Sequence, residues 1–201
     1  MLPPSPERPG TRVTVRNPDS GKWLVARTPA SQARPSNPQV TQQVWVCRHL
    51  ACSGSAMVGV QTEPSPTRHP DRQALERMAK FMPAQAKAQD IMMEAASDGE
   101  ERMTPLSSKV TEFRGYPAIL AESKRTSKGK VNYITRGELF IGVVLVRVVS
   151  VAPDRAEATR HFQGFVAALE ILDVPPADDM GAPAATTSAA LEGNAEPGPG
   201  R

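Results

Sequence analysis

Residues 143–151, Val-Val-Leu-Val-Arg-Val-Val-Ser-Val, form an almost unbroken run of β-branched and aliphatic side chains. Such a strand has two faces to bury, which places it in the middle of a sheet. Upstream, Val131, Tyr133 and Thr135 alternate with Asn132, Ile134 and Arg136, the pattern of a strand with one buried face, and Ile141-Gly142 supplies the reversal between the two. Downstream, Asp154 precedes Glu157 by three positions, a capping-box-like pair in which the first carboxylate accepts orphan helix amides and the second reaches back. Ala158, Phe162, Phe165, Val166 and Leu169 then recur at the spacing of one helix face. Residues 131–172 therefore read as a β-hairpin followed by an amphipathic helix.

Weaker signals extend this unit toward the N-terminus. Residues 42–47 and 56–61 are strand-length and apolar or β-branched, with Ser53-Gly54-Ser55 between them. Residues 71–96 are helical in pattern: Pro70 suits the first turn, and Leu75, Met78, Ala79 and Met82 share a face. Pro83 is expected to kink or split this helix, because its ring removes a donor and crowds the preceding turn. The second segment presents Ala88, Ile91, Met92 and Ala95. Short strands are expected at 109–113 and 118–125, joined at Gly115-Tyr116-Pro117, with a turn at 127–130.

Of the 20 prolines, 13 lie in 1–38 and 174–199 among Gly, Ser, Ala and Thr, a composition too poor in large apolar groups to offset chain entropy. The chain thus divides into a largely irregular Pro-rich leader over 1–41, one α+β domain over 42–172 and a disordered acidic tail over 173–201. The leader has β-prone runs at 12–15 and 23–25 around Asn17-Pro18-Asp19-Ser20-Gly21, strong turn chemistry that would make at most a small, loosely attached hairpin. No apolar run reaches the ~20 residues that span a bilayer, and no signal-peptide pattern opens the sequence. As written the chain reads as soluble and cytoplasmic, with export to a periplasm if the true start lies elsewhere.

The order of elements resembles the PsbP/Mog1-like α/β/α sandwich over about 42–172. Gly115-Tyr116-Pro117-Ala118 looks like the Gly-x-Pro-Ala turn entering a strand in such domains. The strand Leu145-Val146-Arg147-Val148 leading to Phe162 and Phe165 is similar to their strand and small-x-x-x-Phe helix. The resemblance implies an antiparallel sheet with helices packed on its faces. It also implies a mostly noncatalytic family of extrinsic subunits, small-GTPase partners, lipoproteins and chaperones, with no shared active-site motif to carry over.

Candidate chemistry is sparse. In Cys47-Arg48-His49-Leu50-Ala51-Cys52, Cys47, His49 and Cys52 could donate to zinc, but a structural site wants four ligands and His69 and His161 lie in unrelated contexts. A Cys47–Cys52 disulfide across the turn suits hairpin geometry in an oxidising compartment. The spacing is not Cys-x-x-Cys, and a Cys–His hydrolase pair two residues apart on a strand would not be aimed at itself. Met78, Met82, Met92 and Met93 read as core filler, or as a face for a partner helix if left open. His161 reads as a boundary histidine with a satisfied hydrogen bond, and Asp178-Asp179 belongs to the tail. Phosphate loops, catalytic triad spacing and nucleotide fingerprints are absent, so no catalytic residue, cofactor or metal is assigned.

The net charge of +3 is unevenly spread. Between 109 and 147, Lys109, Arg114, Lys124, Arg125, Lys128, Lys130, Arg136 and Arg147 face only Glu112, Glu122 and Glu138. Such a basic surface usually keeps a domain soluble, and aromatic residues that would stack bases are scarce. The leading expectation is a noncatalytic binding or accessory protein acting through a protein surface, its partner unnamed. The first alternative is a nucleic-acid or polyanion binder using Lys124, Arg125, Lys128 and Lys130. The second is a small thiol- or metal-dependent enzyme at Cys47, His49 and Cys52.

Overall fold

A computed structural model describes residues 10–26, 40–65, 70–97 and 99–174. In chain order these give β1 (Gly10–Val15), β2 (Trp23–Val25), β3 (Thr41–Cys47), a 3-10 turn (His49–Ala51) and β4 (Met57–Pro64). Then follow α1 (Arg72–Ala96), β5 (Glu101–Phe113), β6 (Tyr116–Ser127), β7 (Lys130–Ile141), β8 (Val144–Ala152), α2 (Arg155–Ala167) and β9 (Leu169–Val174). Seven strands form one antiparallel sheet in the order β2-β3-β4-β8-β7-β6-β5, and β1 pairs with β9 in a separate two-stranded ribbon.

The β-branched run becomes β8, a central strand between β4 and β7. Its even-numbered positions Val146 and Val148 join Val58, Val60, Leu139 and Ile141 under Phe162, Phe165 and Val166 of α2. On the opposite face Ile119, Phe140 and Leu145 pack against Leu75 and Ala79 of α1. The protein is thus an α+β sandwich, an antiparallel sheet with helices on both faces. Hairpin chemistry fixes its register. Arg114-Gly115 and Lys128-Gly129 both have positive φ at both residues, the turn whose twist matches that of the flanking strands. Where α2 crosses β7, Gly137 carries only hydrogen because a Cβ there would lie 2.5 Å from Phe162 Cζ.

Several elements differ from expectation for identifiable reasons. Residues 10–26 form neither a hairpin nor a loose leader: Trp23 is 3% exposed, β2 extends the sheet by pairing with β3, and β1 pairs with β9. Residues 1–9, 27–39 and 175–201, with the rest of the expected leader and tail, lie outside the described residues. The C-terminal helix stops at Ala167 rather than near Leu172. Leu169 keeps its buried place, but at the head of β9, where the backbone pairs with β1 instead of continuing the helix. Helix α1 runs unbroken through Pro83. Its second half is held along β5 by polar contacts, Asp90 accepting from the Met103 amide and Glu94 pairing with Arg102 at 2.5 Å. Those contacts leave Ile91 and Met92 exposed rather than buried as an apolar stripe. Strand β5 begins eight residues earlier than expected, at Glu101, because an edge strand tolerates Pro105, where the register shifts.

Candidate functional site

Two surfaces concentrate unusual groups. The first lies where the β3–β4 connection meets α2. The cysteines are joined, Cys47 to Cys52, with Cα atoms 6.3 Å apart. Asp154 accepts from the Glu157 amide at 2.9 Å, as the capping pattern predicts, but the Glu157 side chain does not return to the cap. It accepts instead from the Ser53 hydroxyl, and its other oxygen lies 3.5 Å from His161 Nε2. One donor atom each from Cys52, Glu157 and His161 falls within 4.8 Å of the others.

His161 is therefore not the boundary histidine of the sequence reading. It is 6% exposed, stacked edge-on to Trp23 at 4.9 Å, and its Nδ1 is buried without a hydrogen-bond partner. Burial, with the Lys22 charge added, holds its pKa below the usual 6.5, although Glu157 pulls the other way. The neutral imidazole and the disulfide come together only through folding, Ser53 and Glu157 being 104 residues apart. The i, i+4 spacing of Glu157 and His161 on a capped helix was the available signal. His49 sits on the 3-10 turn with its side chain outside the described residues, as is all of His69.

The second surface is the half of the sheet that α1 leaves open. Strand register lays three rows across it. Glu138, Arg147 and Gln61 stand side by side; then Arg136, Val149, Gly59 and Val44; then Ile134, Val151, Met57 and Val46. The charges in the first two rows satisfy one another. Glu138 pairs with Arg136 and, at 3.3 Å, with Arg147, which reaches Glu63 at 2.7 Å. Two hollows of about 530 and 430 Å³ meet over this floor, sharing Arg136 and Val149.

Helix α1 walls this floor on one side. Its Asp90 and Glu94 hold β5, and Met82, Gln85 and Ala86 line the larger hollow together with Met103 and Pro105 of β5. Met78, Phe81, Gln85 and Met92 share a three-and-four spacing on α1, and of these Gln85 lines the larger hollow. Phe81 is 67% exposed and Met92 73%. The result is a largely apolar trough to which α1 contributes Met82, one of the methionines whose helical spacing read as core filler.

The basic residues Lys124, Arg125, Lys128 and Lys130 lie together at one end of the β6–β7 hairpin, two of them paired with acids. Arg125 pairs with Glu101 at 2.8 Å and Lys128 with Glu100 at 3.8 Å, acids lying just upstream of the window in which the charge excess was counted. Lys124 lies across from Tyr133 on β6, and Lys130 opens β7. On the α2 face Glu122 pairs with Arg155 at 2.6 Å and accepts from Ser107 at 2.8 Å. The Arg155 hydrogen bond, helped by that of Ser107, holds the Glu122 carboxyl below its usual 4.5 against the opposing effect of burial. A depressed folded pKa means that this pair stabilises above pH 4.5 and is lost as pH falls through the folded value. Glu122→Gln is expected to lower stability at pH 7 by about 1–2 kcal/mol. Unfolding curves taken stepwise to pH 3 should show the gap to wild type closing.

No protein-family model and no curated protein matches the chain. Among solved structures it is similar to the cyanobacterial PsbP (CyanoP) of Synechocystis sp. PCC 6803, at 11% identity and a TM-score of 0.49 over 82% of this chain and 94% of that one. It is also similar to LpqN, a protein involved in cell envelope biogenesis of Mycobacterium tuberculosis, at 11% identity and a TM-score of 0.41 over 82% of this chain and 86% of that one. The likeness is a weak one of fold, PsbP-like in its mixture of antiparallel sheet and helices.

Proposed function

We propose that the protein is a noncatalytic binding or accessory protein that receives an apolar segment of a partner protein in the trough between α1 and the open face of β7, β8, β4 and β3. The observation that carries this is the exposure of Phe81 and Met92 on α1, the helix whose Met82, Gln85 and Ala86 line the larger hollow. Contiguous apolar surface left in water marks a contact site, whereas singly exposed residues do not. Methionines suit such a wall because their unbranched chains adapt to the shape of what they cover. The floor reinforces the reading. Its arginines and carboxylates are spent on each other, so what it offers a visitor is Val44, Val149, Val151, Met57 and the bare backbone of Gly59, where a Cβ would meet nothing within 4 Å.

The test compares native-host copurification by the wild-type chain and by Phe81→Asp, a change at an exposed position that should leave the melting curve within about 0.5 kcal/mol of wild type. A partner retained by wild type and reduced at least tenfold with Phe81→Asp supports the trough. Equal recovery removes it.

A further inference from the structure

The cluster at the head of α2 has no part in the trough and points to a different chemistry. We propose that the Cys47–Cys52 bond gates a zinc site: when a dithiol reductant opens it, both thiolates, an imidazole nitrogen of His161 and Glu157 Oε1 bind one Zn²⁺ tetrahedrally. The two cysteines alone would not carry this. What carries it is that Cys52, Glu157 and His161 already bring one donor each within 4.8 Å, with Cys47 bonded to the first.

Three further observations fit a metal. His161 is buried, and its Nδ1 has no partner, a cost that folding tolerates only if something offsets it. Glu157 is oriented by the Ser53 hydroxyl on one oxygen, which leaves Oε1 toward His161, the outer-shell arrangement that fixes ligating carboxylates. Two thiolates, one imidazole and one carboxylate form a donor set that zinc accepts, with bonds of ~2.0–2.3 Å. Ligands on such a tetrahedron lie ~3.3–3.8 Å apart, so the present cluster must close by about 1 Å. Opening the disulfide supplies the remaining space by letting the two sulfurs separate.

The steps balance. The dithiol transfers two electrons and two protons to the Cys47–Cys52 bond and becomes a disulfide itself. Zinc then displaces the two thiol protons to solvent. The oxidised protein keeps its Cys52 sulfur in a covalent bond and offers no thiolate, so it holds the turn closed without metal. Sequence spacing alone fails to find this site because its third and fourth ligands come from α2, more than 100 residues downstream of the cysteines, rather than from His49.

Cobalt(II) is the probe, since a tetrahedral thiolate site gives it intense visible bands and a sulfur-to-metal band in the near ultraviolet. The full chain is titrated with cobalt after reduction by a phosphine, which is converted to its oxide and competes little for metal, and in parallel in its oxidised form. Reduced protein should bind one cobalt with those bands, displaced by one zinc, about 100-fold or more tighter than oxidised protein. His161→Gln should weaken reduced-state binding at least tenfold and shift the visible bands. Because His161 is buried and that variant could unfold, Glu157→Gln is read in the same way. Absence of the bands in reduced wild type, equal affinity in the two redox states, or unchanged affinity in whichever variants fold would overturn the proposal.

Discussion

Replacing Trp23 by alanine is expected to destabilise the protein by about 3–5 kcal/mol, although Trp23 lies in a stretch whose composition reads as a loose leader. The residue is 3% exposed, and its ring meets Phe165 edge-on at 5.2 Å and His161 at 4.9 Å. The backbone around it is equally committed. Its amide donates to Asp19 O at 2.8 Å, and its carbonyl accepts from the Asn17 side chain at 2.9 Å. Cys47 is its partner across the β2–β3 ladder. Removing the indole would open a cavity walled by Phe165 and the disulfide turn, which a paired strand cannot collapse to fill. Leu24→Ala, one residue on and facing solvent at 44% exposure, is the internal control, expected to cost about 0.5 kcal/mol or less. Urea unfolding of both variants under oxidising conditions decides the matter. Equal small effects would mean that β2 is only loosely attached.

What the sequence makes legible is local. The β7–β8 hairpin and the Asp154 cap are visible because each is specified within about ten residues, by alternation of side chains or by one carboxylate three positions from an amide. The central position of β8 follows from its having no polar face. What escapes is non-local pairing. Leu169 has the spacing of a helix residue and is buried, yet it begins a strand, because the partner that claims its backbone is β1, more than 150 residues upstream. Residues 10–25 are too short and too close to prolines to look like core, and their ladder partners are remote. The candidate sites divide in the same way. The two cysteines were visible as a pair across a turn, whereas His161 and Glu157 reach them only by folding. The α1 methionines were visible as an apolar helix face, but which flank would be covered depended on Asp90 and Glu94 binding the edge strand.

Phe165→Ala tests the other side of the same packing and is expected to cost about 3–5 kcal/mol. Phe165 is fully buried on α2, with Trp45 at 5.0 Å and Trp23 at 5.2 Å, so it is the ring on which both tryptophans of the chain converge. Its truncation removes two aromatic contacts as well as the transfer free energy of the side chain, each such pair adding ~0.5–1.5 kcal/mol beyond area burial. Since Trp23 and Phe165 touch, the double variant should destabilise less than the two single losses added together, with a coupling of ~0.5–3 kcal/mol. That shortfall is the informative quantity, because the strand carrying Trp23 is held by its ladder with β3 whereas the helix carrying Phe165 packs on the sheet through side chains. Strict additivity in denaturant titrations would show that the two rings do not share one cavity, and that α2 is held by Phe162 and the sheet below it without β2.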